Sequence, residues 1–387
     1  MNFFRRTFLP TAIISTLCGL VLAAHTCPAG AQAPQQIVFE DVTSVYHMEN
    51  VGKDIYAFIA PEPKVPIVGG NSVAIIGSDA VLLVDSGHFP ALTQRMIADI
   101  KSKTGKPVRY LVNTHWHDDH NVGNSVYAAA FPGLAIISTP FTREAMNAYN
   151  AKILQVELDQ YPKYLELARK CLQTGKNPDG TPLTEVDKVF FTNVIDVINK
   201  DTPQLKESRY LGPNLTFSDQ LNIDLGGREV RVFWPGNANT AGDAVVYVPD
   251  QKLLITGDIL VWPTPYAGNS HIASWVDVLD KLMAMDISVI VPGHGPVMHD
   301  KTYMKTVRQL LVDLNDQVKQ GIAQGLSLEQ VKKQVTMQSY KDELTQGIPE
   351  RVYAWNNNYL IPAVESAWNE QKGIPMDENP FPAPAKK

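Results

Sequence analysis

The run His115-Trp116-His117-Asp118-Asp119-His120 follows directly on the apolar, strand-like stretch Tyr110-Leu111-Val112. Three imidazoles and carboxylates within six residues make sense if one loop supplies ligands to two adjacent metal ions. His115 and His117 are two apart, so an extended segment points them to the same side. Asp119 and His120 turn onto the neighbouring side. Neutral imidazole and carboxylate are the ligand types that borderline metals such as zinc prefer. The chain has nine histidines in all, and three of them here argue against a chance polar loop.

Three further segments repeat the arrangement. Val84-Asp85-Ser86-Gly87 ends the apolar stretch Ala80 to Val84, Thr256-Gly257-Asp258 ends Lys252 to Ile255, and Val291-Pro292-Gly293-His294-Gly295 ends Ile287 to Val291. Each puts a carboxylate or an imidazole where a strand runs into a loop, the usual address of catalytic groups on a rigid scaffold.

With these segments in this order, the chain resembles the metallo-β-lactamase superfamily of metal-dependent hydrolases from about Ile55 to about His299. The resemblance implies an α/β fold, a four-layer αββα sandwich with the metals at one edge between two sheets. It implies that His115 and His117 serve a first metal and that Asp119, His120 and His294 serve a second. Asp258 would bridge both, and Asp85 would orient the ligand loop from behind, as metal sites commonly require. Asp119 and Asp258 would be the catalytic carboxylates, orienting a zinc-bound hydroxide. The substrate expected is a small molecule with an ester, lactone or related bond. A β-lactam is the alternative, although dedicated β-lactamases usually carry Cys or Ser where Asp258 stands. A metal- or ligand-binding scaffold without turnover is a second alternative.

One position departs from the family pattern. The third histidine of the first metal normally sits in a Gly-x-His-Thr context, and here Asn239 stands in Pro235-Gly236-Asn237-Ala238-Asn239-Thr240-Ala241-Gly242-Asp243. An amide oxygen is a weaker zinc ligand than imidazole. One or two zinc ions are therefore expected, the second held more tightly than the first. Asn239 would be a weak or water-mediated ligand, unless a single metal suffices or His88 or His271 replaces the missing imidazole. His88, Trp262, Tyr266 and His271 are the expected pocket residues, the aromatic pair from the proline-rich loop Trp262 to Asn269.

The N-terminus reads as an export signal over residues 1–31: Arg5 and Arg6, the uncharged apolar stretch Thr7 to Ala24, and the small-residue site Ala29-Gly30-Ala31. The expected location is periplasmic or extracellular, with no stable membrane span after cleavage. Cys18 and Cys27 leave with the signal, so Cys171 alone cannot form an intramolecular disulfide. Loss of Arg5 and Arg6 takes the formal net charge from −6 to −8. That acidity, without a basic stripe, excludes a nucleic-acid groove.

The hydrolase-like domain is expected over 37–299. Short strands are expected at Val42 to Val45, Ile55 to Phe58, Ser72 to Ile76, Val81 to Val84, Val108 to Val112 and Ala135 to Ser138, with helices at Leu92 to Thr104 and Asn124 to Ala130. Residues 142–209 change character to helical spacing, broken at Asn177-Pro178-Asp179-Gly180, and read as a helical hairpin inserted over the site. Its aromatics, Tyr149, Tyr161, Tyr164, Phe190 and Phe191, are candidates for a pocket lining or for the hairpin's own core. Strands are expected again between Leu215 and Ile255. A helical extension over 300–372 holds helices at Thr302 to Gln320, stopping at Gly321, at Leu328 to Val335 and at Pro349 to Asn369. Residues 373–387 read as an irregular tail.

Overall fold

The computed structural model describes residues 43–62 and 68–380, apart from the side chain of Val186. The export signal, the domain start at Ile37, most of the Pro61 to Pro66 loop and the end of the tail fall outside the described residues. Six strands come first: β1 (His47–Gly52), β2 (Ile55–Ile59), β3 (Ser72–Ile76), β4 (Val81–Val84), β5 (Val108–Val112) and β6 (Ala135–Ser138), with α1 (Pro90–Lys103) before β5 and α2 (Asn124–Ala130) before β6. The insertion follows as α3 (Pro140–Thr174) and α4 (Glu185–Glu207). Then come β7 (Leu215–Thr216), β8 (Gln220–Asp224), β9 (Glu229–Phe233), β10 (Val245–Val248), β11 (Leu253–Val261), α5 (Ile272–Met283) and β12 (Val289–His294). The C-terminal part holds α6 (Thr302–Ala323), α7 (Leu328–Gln334), α8 (Gln338–Thr345), α9 (Pro349–Ala354) and α10 (Ile361–Gln371).

The strands form two sheets, one in the order β1 to β7 and one in the order β12-β11-β10-β9-β8. Period-two alternation sorts their side chains into layers. Ile55, Ala57, Val73, Ile75, Leu82 and Val84 meet Val230, Val232, Val246, Val248, Leu253 and Ile255 in the core between the sheets. The opposite faces carry Ala74, Ile76, Val81 and Leu83 against Met96, Ile97 and Ile100 of α1 and Tyr127 of α2. On the far side, Val245, Tyr247 and Leu254 pack against Trp275 and Leu279 of α5 and Leu310 and Leu314 of α6. This is the αββα sandwich. The parallel pairs β4·β5 and β11·β12 bring their C-terminal ends to one edge of it.

Several elements differ from the sequence pattern. The chain before β1 is a turn, so no strand occupies Thr43 to Val45. The last sandwich helix runs through Gly321 because Val331 of α7 packs there: a Cβ on Gly321 would lie 2.6 Å from Val331 Cγ2. The segment Pro349 to Asn369 is interrupted by one π-helical stretch, Trp355–Leu360, and α8 carries too few apolar residues to be read from spacing.

Asn71 ties the two sheets together at the functional edge. Its amide nitrogen donates to Pro292 O and Gly295 O, each at 2.9 Å, and its oxygen accepts from Ala60 N–H at 2.9 Å. Its backbone N–H donates to Gly293 O at 2.7 Å. Asn71→Ala strands these buried partners and should lower unfolding free energy by about 3 kcal/mol. Urea titration should show a lower midpoint with an unchanged slope.

Candidate active site

The ends of β4 and β5, the middle of β11 and the end of β12 converge on one cluster. Asp85, immediately after β4, has a left-handed backbone (φ 56°). One of its carboxylate oxygens accepts from Thr114 N–H at 2.8 Å. The other accepts from Thr114 Oγ1 at 2.8 Å and lies 2.9 Å from His120 Nδ1. Thr114 Oγ1, its proton given to Asp85, in turn faces His115 Nδ1 at 3.0 Å. This network assigns the Nδ1–H tautomer to both histidines and turns each Nε2 lone pair inward.

Those inward nitrogens meet the remaining donors. His115 Nε2 lies 3.0 Å from His117 Nδ1 and 3.6 Å from Asp258 Oδ2. His120 Nε2 lies 3.1 Å from His294 Nε2, 3.2 Å from Asp258 Oδ1 and 3.4 Å from Asp119 Oδ2. His294 Nε2 lies 3.0 Å from Asp119 Oδ2 and 3.5 Å from Asp258 Oδ1. Two groups result, His115–His120–Asp258 and Asp119–His120–His294, and the two oxygens of Asp258 face different histidines. Lone pairs this close repel unless a cation lies among them. Tetrahedral ligands bound at ~2.0–2.1 Å are ~3.3 Å apart, so the donor set fits a first-row divalent cation.

Electrostatics without an ion divide the donors: burial acts to lower His120 and His294, but Asp119 and Asp258 outweigh it and raise both imidazoles. Burial lowers His117, and the His115 ring beside it adds to this, holding its imidazole down at about 3 and neutral above that. Burial acts to raise Asp258, but His294, His120 and His115 outweigh it and keep the carboxyl well below the usual range. Asp258 Oδ1 and Asn239 Oδ1 are buried without a hydrogen-bond partner, which is how groups look whose partner is an ion.

Close packing also explains two glycines. A Cβ on Gly70 would lie 2.4 Å from the His120 ring, and one on Gly293 would lie 2.0 Å from Asp258 Oδ1. Neither side chain could be added without displacing a ligand.

Asn239 is buried in the loop after β9. Its amide nitrogen donates to Tyr266 O at 2.8 Å, which fixes the orientation of the amide and leaves the oxygen free. The same loop is set by Asp243, which accepts from Thr240 N–H at 2.8 Å and whose carboxyl burial pushes up to about 7. The Tyr266 ring stands 5.3 Å from the His117 ring, edge to face. Trp262 N–H donates to His294 O at 3.1 Å, and the Arg351 guanidinium lies 4.6 Å from its ring centroid. Both aromatics thus border the ligands.

The other two expected pocket residues face carboxylates. His88 is not on a rim: it is 2% exposed and sits between Asp118 and Asp201. Neither does it supply a missing imidazole to the site. His271 Nε2 lies 3.0 Å from Glu378 Oε1. The insertion's Tyr161 and Phe191 are buried in the hairpin's own core, with Tyr164 and Phe190 packed against it, whereas Tyr149 stacks edge-on with Trp116 at 5.5 Å.

Glu378 is the residue that sequence reading misses. It belongs to the irregular tail, yet it is buried and accepts from Trp116 Nε1 at 2.9 Å and Ala241 N–H at 2.7 Å. It therefore joins the histidine loop, the Asn239 loop and His271, and no local spacing marks it.

Residues 65–294 match the family model of the metallo-beta-lactamase superfamily. A linear primary-alkylsulfatase from Pseudomonas sp. (strain ATCC 19151) is 22% identical over 325 residues, 80% of this chain and 57% of that protein. The chain thus spans little over half the length of that relative. A metallo-beta-lactamase type 2 from Bacillus sp. (strain 170) is 21% identical over 306 residues, 76% of this chain and 94% of that one. In fold, the chain is similar to the stereoselective inverting sec-alkylsulfatase Pisa1 from Pseudomonas sp., with a TM-score of 0.58 and 16% identity over 88% of this chain and 52% of that one.

Removing the Asp85 carboxylate should free both imidazole tautomers. Asp85→Ala should weaken metal binding by about 10–100-fold, read by competition with a chromophoric chelator, while far-ultraviolet dichroism stays unchanged.

Proposed function

The chain belongs to the metallo-beta-lactamase superfamily of hydrolases, and from that premise we propose that it is a zinc-dependent enzyme that hydrolyses the ester bond of a small molecule. The observation that carries this reading is Asp258, whose two oxygens face the two ligand groups. His115, His117, Asp258 and the free oxygen of Asn239 would hold one ion, and Asp119, His120, His294 and Asp258 the other. When bound, zinc would lower the pKa of a water molecule toward neutrality and would polarise the bond between the substrate's oxygen and its electrophilic atom.

The chain's own groups do the rest. Asp119 is 14% exposed against 5% for Asp258, so it is the carboxylate better placed to meet an incoming water and to pass a proton to the leaving group. Asp85 and Thr114 hold the Nδ1 sides of His120 and His115 and so turn each Nε2 toward the ion site. Trp262 and Tyr266 give the mouth an apolar wall suited to the organic part of an ester. Six of the seven ligand positions carry an imidazole or a carboxylate, which argues against a scaffold without turnover.

Among esters, a sulfate ester is favoured by the alkylsulfatase relative. That match covers 80% of the chain. Carboxylic ester and lactone remain within the same proposal, and the Bacillus relative keeps β-lactam cleavage as the second reading.

The test is a hydrolysis screen of alkyl sulfates, carboxylic esters, lactones and a chromogenic cephalosporin, with and without chelator. Chelator-sensitive turnover of an ester class, at least 100-fold lower in Asp119→Ala, is expected. Turnover of the cephalosporin alone would favour the second reading, and no metal-dependent turnover of any of them would defeat the hydrolase assignment. Asn239→His replaces an amide oxygen by imidazole and should tighten the weaker ion by about 10-fold, read by isothermal titration.

A further inference from the structure

A second buried cluster lies outside the site just described. His88 follows β4, Asp118 is the residue between His117 and Asp119, Glu157 comes from α3 and Asp201 from α4. All four are at most 5% exposed. Donor atoms of His88, Asp118 and Glu157 lie within 4.8 Å of one another. Neither carboxylate oxygen of Glu157 has a hydrogen-bond partner, and His88 Nδ1 has none either.

The surroundings fix the orientation of the histidine ring. His88 Nε2 faces Asp201 Oδ2 at 3.4 Å, and the same oxygen accepts from Tyr161 O–H at 2.7 Å. A carboxylate behind one ring nitrogen is the arrangement that fixes a metal-binding tautomer. With an ion bound, the proton would sit on Nε2 and the Nδ1 lone pair would face the ion beside Asp118 Oδ2, 3.3 Å away; without one, burial acts to lower the imidazole, but Asp201 and Asp118 outweigh it and raise it. Three buried carboxyl groups around one imidazole exceed the positive charge that a single proton supplies, and a cation would make up the difference. Burial, and then Asp118, disfavour the charged form of Glu157; a bound cation reverses that.

We propose that His88 Nδ1, Asp118 and Glu157 form a further metal site, which takes a divalent transition-type cation such as zinc or manganese. The imidazole selects against calcium and magnesium, which prefer all-oxygen shells. This ion does not touch substrate. It clasps α3 directly, and α4 through the His88–Asp201 contact, to the end of β4 and to the histidine loop, and Asp118 transmits that clasp to its neighbours His117 and Asp119. Its presence is independent of which bond the enzyme cleaves.

Anomalous diffraction from crystals of the full chain, with data on both sides of the zinc edge and after a manganese soak, tests the proposal. The expected result is a peak bounded by His88 Nδ1, Asp118 and Glu157, separate from any peak among His115, His120, Asp258 and His294. Elemental analysis of Glu157→Gln should give one metal equivalent fewer per chain than the parent, with the ion at the His120 site retained. No peak in the cluster in either data set would overturn the proposal, whether or not the variant folds; His88 would then be an imidazolium and Glu157 a neutral acid sharing its proton with Asp118. An unchanged stoichiometry in a folded Glu157→Gln protein would overturn it too.

Discussion

The carboxylate of Asp85 orders everything at the working edge of this sandwich. It stands at the first residue beyond β4 and uses a left-handed backbone to turn back across β5. Its contacts with Thr114 and His120 decide which nitrogen of two histidines carries a proton. A buried carboxylate is costly unless its lone pairs are filled. Here they are filled by groups that belong to the site, so the same hydrogen bonds that offset its burial preorganise the ligands. Parallel pairing of β4 with β5 makes this possible, because both strands then end at the same edge.

The opposing sheet has to come within ligand distance of that edge, and side-chain volume limits how near it gets. Within the edge of each sheet, the ligands also sit where a side chain is absent. Gly70 admits the His120 ring, and Gly293 admits the Asp258 carboxylate. Asn71, between Gly70 and β3, then bonds to the backbone around Gly293 from across the gap. Asp258 and His294 are thereby delivered by neighbouring parallel strands of the second sheet, as Asp85 and His115 are by those of the first.

Strand ends and ligands were legible because they are local. Period-two apolar runs stop at Val84, Val112 and Val291, and the chemistry follows within a few residues. The four layers came from the family resemblance, and the strands accommodate them because each has two apolar faces. The fate of His88 was not legible: its partners Glu157 and Asp201 lie on two different helices of the insertion, and helical spacing gives the face of a helix without its neighbour. Glu378 escaped for a similar reason. It lies in a stretch with no periodicity, 262 positions from Trp116, and its role exists only once the tail has folded back. Asn239 illustrates the middle case. The sequence marked it as a departure from the pattern, but only the hydrogen bond to Tyr266 O decides which end of its amide is free.

The histidine loop itself has two faces, and its spacers are as constrained as its ligands. His115, His117, Asp119 and His120 turn inward. Trp116 turns outward into an apolar patch with Ala145, Met146 and Ile153 of the insertion, and its indole N–H donates to Glu378. Its carbonyl accepts from Asn150 of the same helix at 2.9 Å. Asp118, on the next outward position, is held against His88 at 3.3 Å. The loop is thus gripped at both spacers by elements outside the two-sheet core, one by the insertion and tail, the other by the buried acidic cluster. A change at Trp116 or Asp118 acts on the metal ligands through one peptide unit, without touching the site. The insertion is therefore part of what sets the ligand geometry, and the two central sheets alone do not account for it.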